Sequence, residues 1–185
     1  PLGNTRTTAF DVAGRIKTIT SPNGFPSQHE YDGRGRLVKW TDPENFPWLY
    51  AYDGNANITN ITDALRGHYV MTYGPRNERI LERNQDNFEW TYTYDELLRL
   101  KTQTDPNGTT RTRNYDAAGR VTSHSLSTGR EDTYTLDFND NPQVIVRRVN
   151  GLANATTKLT YDTLDRVTRV VDPFNQTVDY GLDAS

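Results

Sequence analysis

The 185-residue chain is 34% apolar with a mean hydropathy of −0.84, too polar for a thick aliphatic core. Its 21 basic and 24 acidic side chains are interspersed, for a net charge of −3, so no basic face points to nucleic acid. There is no apolar run of about 18 residues to span a membrane, and cysteine is absent, so no disulfide framework holds the chain. Disorder is countered by eleven Tyr, six Phe and three Trp at regular spacing among abundant Thr, Val and Ile, which are strand formers.

The first nine residues read as a lead-in, with Pro1-Leu2-Gly3 resembling a scar of tag cleavage. From Phe10 to the end, one phrase recurs. It opens as Phe10-Asp11-Val12-Ala13-Gly14-Arg15-Ile16 and returns as Tyr31-Asp32-Gly33-Arg34-Gly35-Arg36-Leu37. Tyr52-Asp53 with Ile58 is a weaker copy. Tyr73-Gly74-Pro75 lacks the Asp and brings its aliphatic late, at Ile80, which predicts a bulge or an altered turn. Tyr94-Asp95 with Arg99-Leu100 has Leu98 where Gly is expected; a branched residue resists positive φ, so another turn type is predicted. Tyr115-Asp116-Ala117-Ala118-Gly119-Arg120-Val121 restores the full phrase. Phe138-Asn139 with Val144, Tyr161-Asp162 with Arg166-Val167, and a final Tyr180 complete the series. The aromatic slots thus stand at 10, 31, 52, 73, 94, 115, 138, 161 and 180, with five spacings of 21 residues, then 23, 23 and 19. A fixed period of this size is the signature of a repeat architecture.

Each unit carries two turn signals. In the phrase, Asp bonds its own backbone two residues on and Gly supplies a positive φ. The second signal reads Ser21-Pro22-Asn23-Gly24, Asp42-Pro43-Glu44-Asn45, Asp105-Pro106-Asn107-Gly108 and Asp172-Pro173-Phe174-Asn175; Asn84-Gln85-Asp86-Asn87 stands there without Pro or Gly. The stretches between are Thr-rich, aromatic and of strand length. Phe88-Glu89-Trp90-Thr91-Tyr92-Thr93-Tyr94 alternates rings with polar groups, as a half-buried antiparallel strand does. The outgoing strands are less regular: Leu37, Val38 and Trp40 put apolar groups at both parities. The predicted fold is all-β, tandem antiparallel β-hairpin repeats of about 21 residues joined in one meander. About sixteen strands at ~4.8 Å each exceed what an open sheet sustains without curling, which predicts a long curved wall around a space. A flatter ribbon pairing with a second copy is the alternative.

The phrase, followed by Asp-Pro-x-Gly and the next aromatic about 21 residues on, resembles the YD or RHS repeat, over nearly the whole of Phe10 to Tyr180. The resemblance implies a spiralling β-hairpin wall, part of the hollow shell built by bacterial Rhs proteins, by the B and C components of insecticidal Tc toxins and by teneurins. In the bacterial members the shell encloses a C-terminal toxic domain. The family's self-cleaving core segment and variable toxin tip have no counterpart in this sequence. The implied partners are neighbouring repeats and an enclosed toxin polypeptide, and the implied location is secreted or on the bacterial cell surface. The alternative function is a cell-surface module whose aromatic face engages carbohydrate or protein.

The recurring Tyr, Asp, Gly and Arg are expected to be structural, because a role repeated in every unit is what a joint requires. The Tyr ring packs on its neighbour, Asp ties the turn, and Arg15, Arg36, Arg99, Arg120 and Arg166 lie over a ring or pair with Asp. His29, His68 and His124 occupy different offsets without ligand-spaced neighbours. No catalytic, metal or cofactor site is expected; an active site would break the repeat rather than follow it. Exposed sheet edges predict self-association of the isolated chain.

Overall fold

Seventeen strands and no helix make up the described residues, 5–181, of the computed structural model; Pro1, Leu2 and Gly3 lie outside them. The chain divides into two units, Pro1–Trp90 and Thr91–Ser185. The first is an antiparallel meander of β1 (Thr7–Phe10), β2 (Ile16–Thr20), β3 (Pro26–Tyr31), β4 (Leu37–Thr41), β5 (Pro47–Tyr52), β6 (Ile58–Thr62), β7 (His68–Tyr73) and β8 (Arg79–Arg83), each paired with the next. The boundary falls within β9 (Glu89–Tyr94). The second unit continues as β10 (Leu100–Thr104), β11 (Thr110–Tyr115), β12 (Val121–Leu126), β13 (Arg130–Leu136), β14 (Pro142–Val149), β15 (Leu152–Tyr161), β16 (Val167–Val171) and β17 (Thr177–Asp179), again each paired with its successor. The all-β tandem hairpin architecture expected from the period is present throughout.

Both turn signals fold into the same three-residue loop. At Asp11 the backbone N–H donates to the carbonyl of Arg15, and the N–H of Gly14 donates back to the carbonyl of Asp11. Asp42 with Phe46 and Asn45, and Asp105 with Thr109 and Gly108, repeat the pattern on the other side of the sheet unit. The fourth residue always takes positive φ, closing the loop in the left-handed region.

A β-bulge follows every first turn. Tyr31 pairs with Leu37 but Glu30 pairs with Lys39, so Val38 is skipped; Thr59, Lys101, Thr122 and Thr168 are skipped in the same way. The extra residue shifts side-chain parity. Ring-face positions on outgoing strands therefore lie three residues apart, as Leu37 and Trp40, or Ile58 and Ile61, while return strands keep strict alternation, as in Trp48, Tyr50 and Tyr52.

The sheet has no deep interior. Among the described residues no apolar side chain is buried, and only Thr41 and Ser123 are. Burial is instead one-sided and partial: β5 and β9 alternate exposed and half-buried along their whole length. Apolar contact comes from cross-strand rows such as His29–Trp40–Trp48 and Tyr50–Ile61–Tyr69.

Candidate functional site: the joint between repeats

The site is a joint that each unit makes with the next. It starts with the Asp of the phrase. Asp32 accepts the N–H groups of Arg34 and Arg36 on Oδ1, at 2.9 and 3.0 Å, and the Nε of Arg36 on Oδ2 at 2.7 Å. Asp11, Asp95, Asp116 and Asp162 hold Arg15, Arg99, Arg120 and Arg166 through Oδ2 at 2.6–2.7 Å. The carboxylate thus replaces the turn's missing backbone partners and orients a guanidinium.

These contacts lower the carboxyl pKa values. At Asp11, Asp32, Asp116 and Asp162 the largest cause is the hydrogen bond from the backbone N–H of the Arg four residues on. At Asp95 burial opposes, and the Arg99 bonds outweigh it.

The Arg then reaches forward. Its guanidinium lies over the next unit's ring, Arg15 over Tyr31 at 4.7 Å, Arg36 over Tyr52 at 4.5 Å and Arg99 over Tyr115 at 4.5 Å. Its Nη1 donates to the carbonyl of the next unit's Asp: Arg36 to Asp53 at 3.1 Å, Arg99 to Asp116 at 3.3 Å and Arg120 to Asp137 at 2.7 Å. The ring reaches back. The hydroxyls of Tyr31, Tyr52, Tyr115 and Tyr161 donate to the carbonyls of Ile16, Leu37, Leu100 and Pro142 at 2.7–3.0 Å. Each acceptor is the residue just before the skipped one, where the bulge interrupts the ladder. Tyr73 and Tyr94 are half-buried at the ends of β7 and β9, and burial pushes the hydroxyls of Tyr73 and Tyr161 up. Phe10 is 59% exposed in the first described strand.

Two slots differ from the sequence reading. Phe138 is fully exposed at a turn tip, not in a strand. The loop is closed by Asp137, whose N–H donates to Asn141, so the slot is Leu136 and the Asp is Asp137. The bond from Arg120 to Asp137 fixes that phase, since it spans the same 17 residues as Arg36 to Asp53. The 21-residue spacing therefore holds from 115 to 136, and the next interval is 25 residues. The added length goes into the long β14–β15 hairpin, closed by the two-residue turn Asn150-Gly151 with φ of 53° and 80°. Tyr180 is displaced likewise. Val171 pairs with Thr177 as Thr41 pairs with Pro47, so Tyr180 matches Tyr50 and the slot falls at 182, outside the described residues. A sequence cue existed: Asp137 and Asn141 have the spacing of Asp53 and Asn57, and both Asn side chains donate to their Asp.

The expected exceptions keep the common turn. Leu98 takes a φ of 62° with the usual bonds to Asp95. Around Gly74 the Glu78 carboxylate fills the space of the missing Asp side chain and accepts the N–H of Arg76 at 2.8 Å. Arg79 holds the aliphatic position and Ile80 is the skipped residue. Asn84 Oδ1 accepts the N–H groups of Asp86 and Phe88 just as Asp does elsewhere.

The RHS Repeat family model matches residues 31–68 and 94–131, each match opening on a Tyr-Asp pair. Among solved structures, the chain is similar to TcdB2-TccC3 without its hypervariable C-terminal region, with a TM-score of 0.68 and 16% identity over 92% of this chain and 11% of that one. It is also similar to TcdB2-TccC3-TEV, with a TM-score of 0.54 and 14% identity over 90% of this chain and 11% of that one. At these identities the likeness is one of fold, and the chain spans about a tenth of their length. A search of curated proteins gives no match.

Proposed function

We propose that this chain, which carries RHS repeats, is a length of non-catalytic shell wall that confines a toxic polypeptide in a secreted bacterial toxin. The observation that carries this reading is how the repeated polar groups are used. Where the phrase is complete, its Asp, Arg and the next Tyr are engaged with one another, as at Asp32, Arg36, Tyr52 and Asp53, which leaves them as joinery rather than as a ligand ladder. Nor does the sheet cover its own ring face, as the absence of buried apolar side chains shows among the described residues. A wall whose inner side meets other repeats or an enclosed chain accounts for that. The mechanism is confinement: the wall separates the toxic segment from its surroundings by sterics alone.

The test uses the natural full-length polypeptide. Its toxic segment should survive protease at concentrations that degrade the same segment produced alone. Equal rates of degradation would contradict confinement.

The cross-strand pair of Trp40 and Trp48 supports a second reading, a cell-surface module that binds carbohydrate across its rings. Saturable binding on a glycan array, lost on Trp90→Ala or Trp48→Ala, would favour that module; a blank array favours the wall.

A further inference from the structure

On three neighbouring strands of the second unit, β11 to β13, the ring face turns charged. Two and four residues before the slot, β5, β7 and β9 carry Tyr50 and Trp48, Met71 and Tyr69, and Tyr92 and Trp90, while β3 carries the neutral polar pair His29 and Ser27. In β11 the same positions are Arg113 and Arg111. The facing position on outgoing strands of the first unit is Ile19, Trp40, Ile61 or Glu82, but His124 in β12, and β13 brings Asp132 where Trp48 and Trp90 stand elsewhere. Registers put Arg113, His124, Asp132 and Arg147 side by side in one row across four strands.

Charge in this row does not balance. Asp132 spends both oxygens on other partners, Oδ2 on Arg130 at 2.8 Å and Oδ1 on Arg147 at 2.9 Å. Arg111 and Arg113 have no carboxylate partner among the described residues, and Arg113 Nη1 and His124 Nδ1 are buried without a hydrogen-bond partner. An unsatisfied buried donor is costly, and a guanidinium is the group most costly to leave so. These side chains line a cleft of about 270 Å³ with Leu126 and Arg130. That is several times the ~30 Å³ share of a water molecule.

We propose that this cleft is an oxyanion site, in which Arg111 and Arg113, with His124 beside them, take the carboxylate or phosphate group of a ligand. Guanidinium forks match both groups in geometry and charge. A cluster of charged and imidazole side chains at four neighbouring ring-face positions, with buried polar atoms left unpartnered, is what a recognition site superimposed on a structural repeat requires.

The groups facing His124 are Arg113 and Arg111 from β11 and Asp132 and the Tyr134 ring from β13, the ring edge-on at 5.7 Å. Burial, and then the two arginines, hold the imidazole pKa below its ordinary value, against the opposing pull of Asp132. A bound oxyanion offsets the arginine charges and raises that pKa. Binding therefore takes up a proton, and affinity rises as the pH falls from the raised imidazole pKa of the bound form towards the lowered one of the free form.

The experiment follows the His124 imidazole by ¹H–¹⁵N NMR in the 185-residue chain, with His124→Gln identifying its signals. Titrants at constant ionic strength are inorganic phosphate and a short oligoglutamate peptide, with chloride as control. The expected result is a saturable shift, about tenfold weaker in the Arg111→Gln/Arg113→Gln double variant; for the peptide, whose carboxylates stay ionised near neutral pH, binding is tighter at lower pH. Saturation by phosphate alone identifies a free-anion site; saturation by the peptide alone identifies a site for acidic side chains of a polypeptide; both support the proposal. Should the double variant fail to fold, Arg111→Gln alone, at an exposed position, decides by a severalfold loss. Absence of a saturable shift with either titrant, or unchanged affinity in the folded variants, overturns it.

Discussion

Leu98 and Gly119 occupy the same turn position with φ of 62° and 87°. An L side chain with a Cβ pays about 1–2 kcal/mol to hold the left-handed region. Gly119→Val should therefore destabilise the chain by about 1–2 kcal/mol, whereas Leu98→Gly should be neutral to stabilising, by up to about 1 kcal/mol after the entropy of the freer unfolded chain is subtracted. Urea unfolding of the two variants checks both signs. Tyr52→Phe removes one hydrogen bond, to the carbonyl of Leu37, and should cost about 0.5–1.5 kcal/mol by the same measurement. The turn aspartates set the acid limit. Asp11, Asp32, Asp116 and Asp162 have folded pKa values below the ordinary 3.8. Their contribution is therefore full above about pH 4 and is lost as the pH falls through the folded values. Thermal melts should fall in midpoint below pH 4, and the fall should be shallower in Asp32→Asn.

At the scale of strands, the return strands were legible because Trp90, Tyr92 and Tyr94 keep period two with nothing inserted. Outgoing strands were not, because the bulge adds a residue of no fixed type: Thr59, Thr122 and Thr168 are skipped, but so are Val38, Ile80 and Lys101, and Thr is common elsewhere in the strands. The joint was legible in its parts, Tyr, Asp and Arg, through repetition. Its direction was not, because the hydrogen bond from Tyr52 to Leu37 spans 15 residues and depends on a carbonyl that only the bulge makes available. Phe138 misled because an aromatic ring fits the slot, while the Leu that fills it, Leu136, has no hydroxyl to make the bond. Glu78 escaped notice because it supplies from the Arg position the carboxylate that Gly74 lacks. The long β14–β15 hairpin should be the slowest-exchanging part of the second unit, and β1 and β17 should exchange fastest, being edge strands among the described residues. Hydrogen exchange read by mass spectrometry tests this; uniform exchange along the chain would contradict it.

For the whole molecule, the absence of buried apolar side chains among the described residues decides most. Stability must come from nearest-neighbour joints, roughly additive along the chain, as in other repeat arrays. Edges left unpaired invite further pairing, so the isolated chain should associate as its concentration rises; sedimentation showing monomer at every concentration would count against this. The central claim is that such units build a wall around a confined polypeptide, and electron cryomicroscopy of the natural full-length polypeptide tests it most directly. The account predicts a closed shell of hairpin repeats, with this chain in its wall and additional polypeptide density inside. An open ribbon, or a shell with an empty lumen in a toxin-bearing chain, would contradict it.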